Sequence, residues 1–212
     1  MKINNILYLY LCLCFTSCLK CENRATLEYQ SDLKQFPAYL VDFFPDTLSE
    51  KYSTIKNTDT TSYCISYMNY DFESKNIAKL SEYLATKSIK KYIASDVSLV
   101  TVKRESITYW DDSKRVYYTS LFKNHTFYYP VPFFEKEEFE NIGVNNESIY
   151  SQTNVSGLSN DFEIYILESK SGLYWKGLKP NEYMPKGWKN GYSKGICINK
   201  KKSIIIYWLL VW

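Results

Sequence analysis

Runs of β-branched and aromatic residues recur along the chain and predict several strands. The clearest are residues 61–72 ("TSYCISYMNYDF"), 161–169 ("DFEIYILES") and the two halves of 194–212 ("KGICINKKKSIIIYWLLVW"). The last stretch predicts a hairpin, because two apolar runs flank a short polar stretch rich in lysine. Residues 204–212 are apolar or aromatic throughout, which is typical of a strand buried on both faces. We therefore expect this strand at the centre of a sheet.

Helical periodicity is clearest between residues 73 and 93, where lysines and glutamates cover the face opposite an apolar stripe. The stripe consists of Ile77, Leu80, Leu84 and Tyr92. A shorter helix is predicted over residues 37–44, since proline suits a first helical turn and Pro45 prevents continuation.

The middle of the chain gives weaker patterns. Residues 98–122 predict two strands on either side of a polar turn at 111–114. Residues 126–134 ("TFYYPVPFF") are extended, and their two prolines confine them to an edge or an irregular position. Residues 135–160 are polar and predict a short helix followed by a loop.

Together these elements predict an α+β fold: a single domain over residues 31–212 with a mostly antiparallel sheet. One or two helices should pack on the sheet, and the C-terminal strand should be central. An aromatic content of 17%, including 21 tyrosines, agrees with a β-rich core. An outer-membrane barrel is not predicted, because it requires many strands of about ten residues with alternating polarity.

The N-terminus has the pattern of a secretory signal. Lys2 is followed by an uninterrupted apolar run from Ile6 to Phe15. Such a run is too short to span a bilayer, which needs about twenty helical residues. We therefore expect residues 1–17 to be a signal peptide that directs export.

The end of this leader, "FTSC" (residues 15–18), resembles the bacterial lipobox. Small residues at the two positions before a cysteine fit the lipoprotein signal peptidase, and Cys18 alone is preceded in this way. The resemblance implies that Cys18 receives a diacylglycerol and a further acyl chain such as palmitate, which together anchor a protein stably. Residues 18–30 would then be a lipidated tether. The alternative is an ordinary secretory signal that is cleaved nearby.

The residue after the anchor bears on the destination. Leu19 stands where the inner-membrane retention signal of enteric bacteria has aspartate, and this favours the outer membrane. The tether lacks the acidic run that follows the cysteine in surface-exported lipoproteins of Bacteroidetes. We therefore expect the periplasmic side.

Charge excludes one class of partner. The leader contains one of the 26 basic residues and none of the 23 acidic ones, so the mature net charge is about +2. A dedicated nucleic-acid binder would show a concentrated basic face instead. We expect no nucleic-acid partner.

Two cysteines remain beyond the leader and tether, Cys64 and Cys197. An exported compartment can be oxidising, so a Cys64–Cys197 disulfide is one interpretation. Both residues lie in apolar strand-like runs, where buried thiols are equally common. Sequence alone leaves the two alternatives open.

No catalytic constellation emerges, and neither a cofactor nor a metal is predicted. Residues 88–91 ("SIKK") and 170–172 ("KSG") match fragments of the penicillin-binding pattern, but its middle element is missing between them. His125 is the only histidine, and zinc sites require several His or Cys ligands in close spacing. Asp111 and Asp112 lie in a predicted turn, without the apolar surroundings that raise a carboxyl pKa.

One segment stands out as a candidate binding site. Residues 172–195 contain five of the seven glycines, together with interleaved aromatic and lysine residues. Long irregular loops in compact domains are commonly functional. The aromatic side chains could stack on sugar rings while lysines hold an acidic group, or they could instead pin the loop onto the core. The candidate residues are Tyr174, Trp175, Tyr183, Trp188 and Tyr192.

In its leader, composition and aromatic tail, the chain resembles the small uncharacterised lipoproteins of Bacteroidetes. The resemblance implies a membrane partner through the lipid anchor and carries no known activity. We expect a non-catalytic binding or scaffolding module at the outer membrane, with a glycan or an envelope protein as its partner. The alternatives are a periplasmic hydrolase of envelope polysaccharide and an immunity lipoprotein that neutralises a toxin.

Overall fold

A computed structural model describes most of the predicted elements. The described residues are 24–58, 60–70, 73–94, 96, 99–102, 129–134, 156–182, 184 and 186–212. The chain divides into two compact units, Met1–Glu50 and Lys51–Trp212.

Between residues 24 and 50, the part of the first unit that the structure describes, two helical segments form: α1 (residues 24–33) and α2 (Ala38–Val41). Pro37 precedes α2 with a φ of −53°, so the predicted helix begins where expected but ends three residues earlier. The Tyr29 hydroxyl donates a hydrogen bond of 2.9 Å to the Pro45 carbonyl. Residues 24–30, assigned to a tether from sequence, are helical. The buried side chains among residues 24–50 are Tyr29, Leu33, Phe36, Leu40 and Phe44.

The second unit is an α+β domain, which confirms the predicted fold class. Within the described residues its elements are β1 (Tyr52–Thr58), β2 (Tyr63–Asn69), α3 (Ser74–Lys87), β3 (Lys90–Ile93), β4 (Val100–Val102), β5 (Pro130–Pro132), β6 (Phe162–Ser171), a short 3-10 helix (Lys186–Trp188), β7 (Gly191–Asn199) and β8 (Ile204–Val211). Six strands form one antiparallel sheet in the order β1-β2-β8-β7-β6-β3. Strands β4 and β5 form a separate parallel pair.

Strand β8 lies at the centre of the sheet, as its continuous apolar run predicts. It pairs with β2 on one side and β7 on the other, so that Leu210 lies opposite both Cys64 and Ser193. Both of its faces are covered, and only Tyr207 among its residues is more than marginally exposed. The predicted β7–β8 hairpin is confirmed as well.

The two faces of the sheet differ in what covers them. One face, here called the core face, carries Ile166, Cys197 and Trp208, which pack with Val100 of β4 and Val131 of β5 in the main hydrophobic cluster. The opposite face, here called the helix face, carries the alternate positions of the same strands, because side chains alternate along a strand. These positions include Tyr67, Tyr165, Tyr192 and Tyr207.

Helix α3 packs on β6 and is shorter than predicted. Ile77 and Leu84 are buried, as their spacing indicated. The prediction was wrong for residues 90–93, which form β3 against β6 and place Tyr92 in the main cluster. Ser88 ends the helix in an extended conformation. Residues 90–93 then form a strand because their backbone pairs with β6.

Two further results concern strands. Residues 52–58 form β1, which had no sequence prediction because the stretch has few apolar side chains. The extended segment at 126–134 is confirmed in β5, whose pairing partner is the short β4. The turn at 111–114, most of the polar stretch at 135–160, and His125 lie outside the described residues.

Candidate functional site

The candidate loop connects β6 to β7 and is fixed by backbone hydrogen bonds at its base and along its length. We call residues 172–190 the connecting loop. Gly172 N–H donates to the Asn190 carbonyl at 3.0 Å, and Asn181 N–H donates to the Lys189 carbonyl at 2.8 Å. Lys179 N–H donates a 2.8 Å hydrogen bond to the carbonyl of Thr60, just before β2. These bonds hold the described part of the loop against the end of the sheet.

A left-handed turn begins the loop. Gly172 has a φ of +133°, a conformation that L side chains rarely adopt, and a Cβ there would lie 3.2 Å from the Tyr174 ring. Glycine therefore lets the chain leave β6 and bring Tyr174 back over the sheet. The Tyr174 ring meets Tyr192 edge-on, with centroids 4.5 Å apart and an interplanar angle of 84°. Such edge-to-face contacts are a favoured aromatic geometry.

Trp175 packs beside Tyr174 on the same face of the sheet. Its ring centroid lies 4.9 Å from that of Tyr63 on β2. Tyr63 and Tyr192 both pair with Val211 of β8, so the two tyrosines form one row across three strands of the helix face. Tyr174 and Trp175 are therefore neighbours that cover adjacent parts of this row.

A lysine completes this arrangement. The Lys56 ammonium lies 5.8 Å from the centroid of the Tyr63 ring, within the range of a cation–π contact. Lys56 is exposed, while Tyr174 and Trp175 are half-buried. We call Lys56, Tyr63, Tyr174 and Trp175 the Trp175 surface. It presents aromatic faces and a cation on a well-packed base.

Trp188 has a different role from Trp175. Its ring lies 5.9 Å from that of Trp212, and the Trp212 indole N–H donates a 2.6 Å hydrogen bond to the Trp188 carbonyl. Trp212 is completely buried in the main cluster, against which Trp188 packs. Trp188 thus attaches the connecting loop to the core face. The five predicted residues do not form one cluster, and Tyr183 lies outside the described residues.

An ionic group adjoins the Trp175 surface and was not predicted. A β-bulge between Ile166 and Glu168 shifts the register, so Glu168 faces Lys194 on the helix face. The Glu168 carboxylate pairs with Lys170 and lies 3.6 Å from the Lys194 ammonium. The break in alternation at "ILES" was the only sequence signal for this bulge.

The protonation of this group follows from its contacts. Burial alone would raise the pKa of Glu168, but hydrogen bonding with Lys170 and the charges of Lys170 and Lys194 outweigh it and lower that pKa. Burial and the neighbouring carboxylate raise the pKa of Tyr192 to about 12. Glu168 is therefore an anion and Tyr192 a neutral phenol at physiological pH.

A second charged cluster lies where β3, β6 and the β7–β8 turn meet. Glu163 Oε1 lies 2.7 Å from the Lys91 ammonium, and Oε2 lies 3.0 Å from that of Lys200. The Tyr165 hydroxyl donates a 2.7 Å hydrogen bond to Oε2. Burial alone would raise the pKa of Glu163, but these hydrogen bonds lower it to about 2.

The disulfide interpretation of Cys64 and Cys197 is wrong, because both residues carry thiols. They lie on β2 and β7, which are separated by β8. Two strand spacings amount to about 10 Å, and a disulfide requires Cα atoms within about 7 Å. Burial raises the pKa of the Cys197 thiol, which favours an unreactive, protonated side chain.

The penicillin-binding fragments do not assemble a site. Ser88 caps α3, whereas Lys91 lies on β3 and pairs with Glu163, so the serine and lysine do not share a helical turn. Lys170 pairs with Glu168. Among the residues that the structure describes, no group of three His, Cys, Asp or Glu side chains is arranged to hold a metal ion.

Comparison with known proteins adds no relative. The chain matches no family model, and no curated protein or solved structure is detectably similar to it. No helix within the described part of the chain is both long and apolar enough to cross a membrane.

Proposed function

We propose that this chain is a lipid-anchored protein of the bacterial cell envelope. The leader and the lipobox-like residues 15–18 support the proposal, with Cys18 as the lipidated residue at the outer membrane, on the periplasmic side. Two acyl chains or more on one residue suffice for stable attachment.

The anchor is tested directly by growing expressing cells with labelled palmitate. The wild-type chain should incorporate the label and fractionate with the outer membrane. Cys18→Ala should lose both properties, whereas Cys21→Ala, the matched control three residues away, should keep them. Continued labelling of Cys18→Ala would exclude this cysteine as the anchor.

We further propose that the folded part is a non-catalytic binding module for acidic saccharides. The observation that carries this proposal is the contact of Trp175 and Lys56 with the same Tyr63 ring. Half-exposed aromatic rings offer apolar faces on which a sugar ring can stack. A lysine at their border offers a charge for a uronate or sulfate group.

Two described carboxylates, Glu163 and Glu168 of β6, have properties that suit binding better than hydrolysis. Glycoside hydrolases need one carboxyl group with a raised pKa to act as the general acid. Glu163 and Glu168 have the opposite property, because neighbouring lysines lower the pKa of each. Both are committed to ion pairs within the fold.

Binding is tested by titrating the protein with oligogalacturonate, an acidic saccharide, and with maltohexaose, a neutral one. We expect saturable binding of the acidic probe alone. Trp175→Ala should weaken it about tenfold, as loss of one stacking contact of about 1.4 kcal/mol implies. Leu173→Ala is the matched control, because Leu173 is 67% exposed two residues away.

Either of two results would contradict the saccharide proposal. One is an unchanged binding curve for Trp175→Ala with the acidic probe. The other is equal binding of both probes, since the lysine would then have no part in recognition. Circular dichroism of each variant establishes that the fold is retained.

A further inference from the structure

The end of the sheet at β3 combines exposed apolar side chains with lysines. Strand β3 is the terminal strand of the six-stranded sheet, next to β6. Ile93 on this strand is 56% exposed, and Ile89 just before it is 49% exposed. Because side chains alternate, Lys91 and Ile93 lie on one face of β3 and Lys90 on the other, so lysines flank this edge on both faces.

The pairing of β3 with β6 places two lysine ammonium groups near Ile93. Ile93 lies opposite Glu163 on β6, and that carboxylate binds both Lys91 and Lys200. One carboxylate therefore gathers two ammonium groups, which leaves an excess of positive charge beside the exposed isoleucine. Lys201, next in the β7–β8 turn, pairs with Asp161 at 2.7 Å.

Lysine on an edge strand also has a purely protective use, because it discourages pairing with another sheet. That use accounts for Lys90 and Lys91. It does not account for two half-exposed isoleucines within five residues, which would make such an edge more adhesive. Apolar side chains bordered by lysines suit a surface whose phosphates are anionic and whose interior is apolar.

We propose that this end of the sheet, formed by Ile89, Lys90, Lys91, Ile93 and Lys200 and called the Ile93 edge, lies against the anionic headgroups of a lipid bilayer. The lysines bind lipid phosphates, and Ile93 enters the boundary between headgroups and acyl chains. The inference builds on the proposed lipid anchor, which would hold the chain at such a surface. The Ile93 edge would then set the orientation of the domain on the membrane.

The proposal is tested by lysine footprinting of the full chain. The protein is mixed with excess vesicles of phosphatidylcholine, either pure or with phosphatidylglycerol, and lysines are acetylated with a soluble ester. On the anionic vesicles, acetylation of Lys90 and Lys200 should slow about threefold or more, and high salt should reverse the effect. Lys176 and Lys179 of the connecting loop, both exposed, serve as internal controls and should not change.

Two variants test the apolar part of the contact. Ile93→Ser should reduce the protection of Lys90 and Lys200 on anionic vesicles at low salt, because it removes the apolar side chain that enters the bilayer. Leu173→Ser removes an apolar side chain that is even more exposed, at 67%, and should have no effect. If Ile93→Ser proves unstable, Lys90→Gln provides the second test. It replaces an exposed lysine and should reduce the protection of Lys200 from acetylation at low salt.

Three outcomes would overturn the proposal. The first is no slowing at Lys90 and Lys200 on anionic vesicles, and the second is equal slowing at all lysines. The third is protection without vesicles that grows with protein concentration, which would assign the edge to a second copy of the chain. The same digest gives the mass of the peptide that contains Cys18. An absent lipid there counts against the anchor, whereas loss of protection at the lysines counts against the Ile93 edge.

Discussion

Gly195 on β7 lies directly against the indole ring of Trp208 on β8. A Cβ built at Gly195 would be 2.6 Å from Cζ2 of that ring and 2.2 Å from the Tyr165 carbonyl oxygen. Both partners are buried, and one of them is backbone, so neither can move aside at low cost. The absence of a side chain at position 195 therefore lets Trp208 pack across the centre of the sheet.

This contact predicts that Gly195→Ala destabilises the fold. Overpacking of a dense core typically costs about 1–3 kcal/mol, and a clash with backbone should reach the upper part of that range. The measurement is urea unfolding followed by tryptophan fluorescence. Gly187→Ala is the control, since nothing lies within 4 Å of the corresponding Cβ. Equal urea midpoints for the two variants would contradict the close contact between Gly195 and the Trp208 ring.

A second prediction concerns the two loop tryptophans. Trp188→Ala should lower the free energy of unfolding by about 2 kcal/mol, because it removes a ring that packs on Trp212 and the main cluster. Trp175→Ala should cost less and should instead weaken saccharide binding. Thermal unfolding and the binding titration, performed on both variants, separate the two roles. A larger loss of stability in Trp175→Ala and a larger loss of binding in Trp188→Ala would contradict these two roles.

The Glu163 cluster predicts a specific dependence of stability on pH. The pKa of Glu163 is lowered from 4.5 to about 2 in the folded chain, so the carboxylate stabilises the fold above pH 4.5. That contribution is lost as the pH falls from 4.5 towards 2. Glu163→Gln should therefore be less stable than the wild type at pH 7 and equally stable near pH 2. Urea unfolding across this range measures the difference.

Salt provides the control for this third prediction. The ion pairs of Glu163 are partly exposed, and the Lys91 side chain is 47% accessible. High salt should therefore reduce the difference in free energy of unfolding between wild type and Glu163→Gln at pH 7. A gap that persists unchanged at low pH would mean that the glutamine disturbs packing rather than charge.

The cysteines give a fourth prediction. In denaturant without reductant, iodoacetamide should modify both Cys64 and Cys197, because no disulfide joins them. In the folded chain Cys197 should react far more slowly than Cys64, since Cys197 is fully buried and Cys64 is only partly covered. Mass spectrometry of tryptic peptides reads both sites. A linked pair of peptides, two mass units lighter than the sum of the two free-thiol peptides, would show that a disulfide joins the cysteines.

Local sequence patterns predicted the elements whose burial is determined within the segment. The run at 204–212 showed its central position because every residue is apolar or aromatic, and residues 61–72 showed β2 by their β-branched and aromatic side chains. Strand β1 escaped prediction, since serine, threonine, asparagine and lysine dominate it. Tyr92 fitted the helical spacing from Leu84, but pairing with β6, far along the chain, placed it on a strand.

The candidate loop shows a similar limit. Its aromatic and lysine composition marked it as distinct, but the partners that decide its geometry are distant in sequence. Trp175 packs on Tyr63, and a β-bulge turns Glu168 towards Lys194. Because these contacts depend on sheet register, the sequence indicated which residues to consider but not how the sheet divides them between its two faces.

The position of β8 has a consequence for the order of events during synthesis. Strands β1 and β2 on one side, and β7, β6 and β3 on the other, are joined within the sheet only through β8. The sheet therefore cannot close until residues 204–211 have emerged from the ribosome or from a translocation pore. A nascent chain lacking them would expose two partial sheets, each with an apolar flank, and this makes it a natural client for a chaperone.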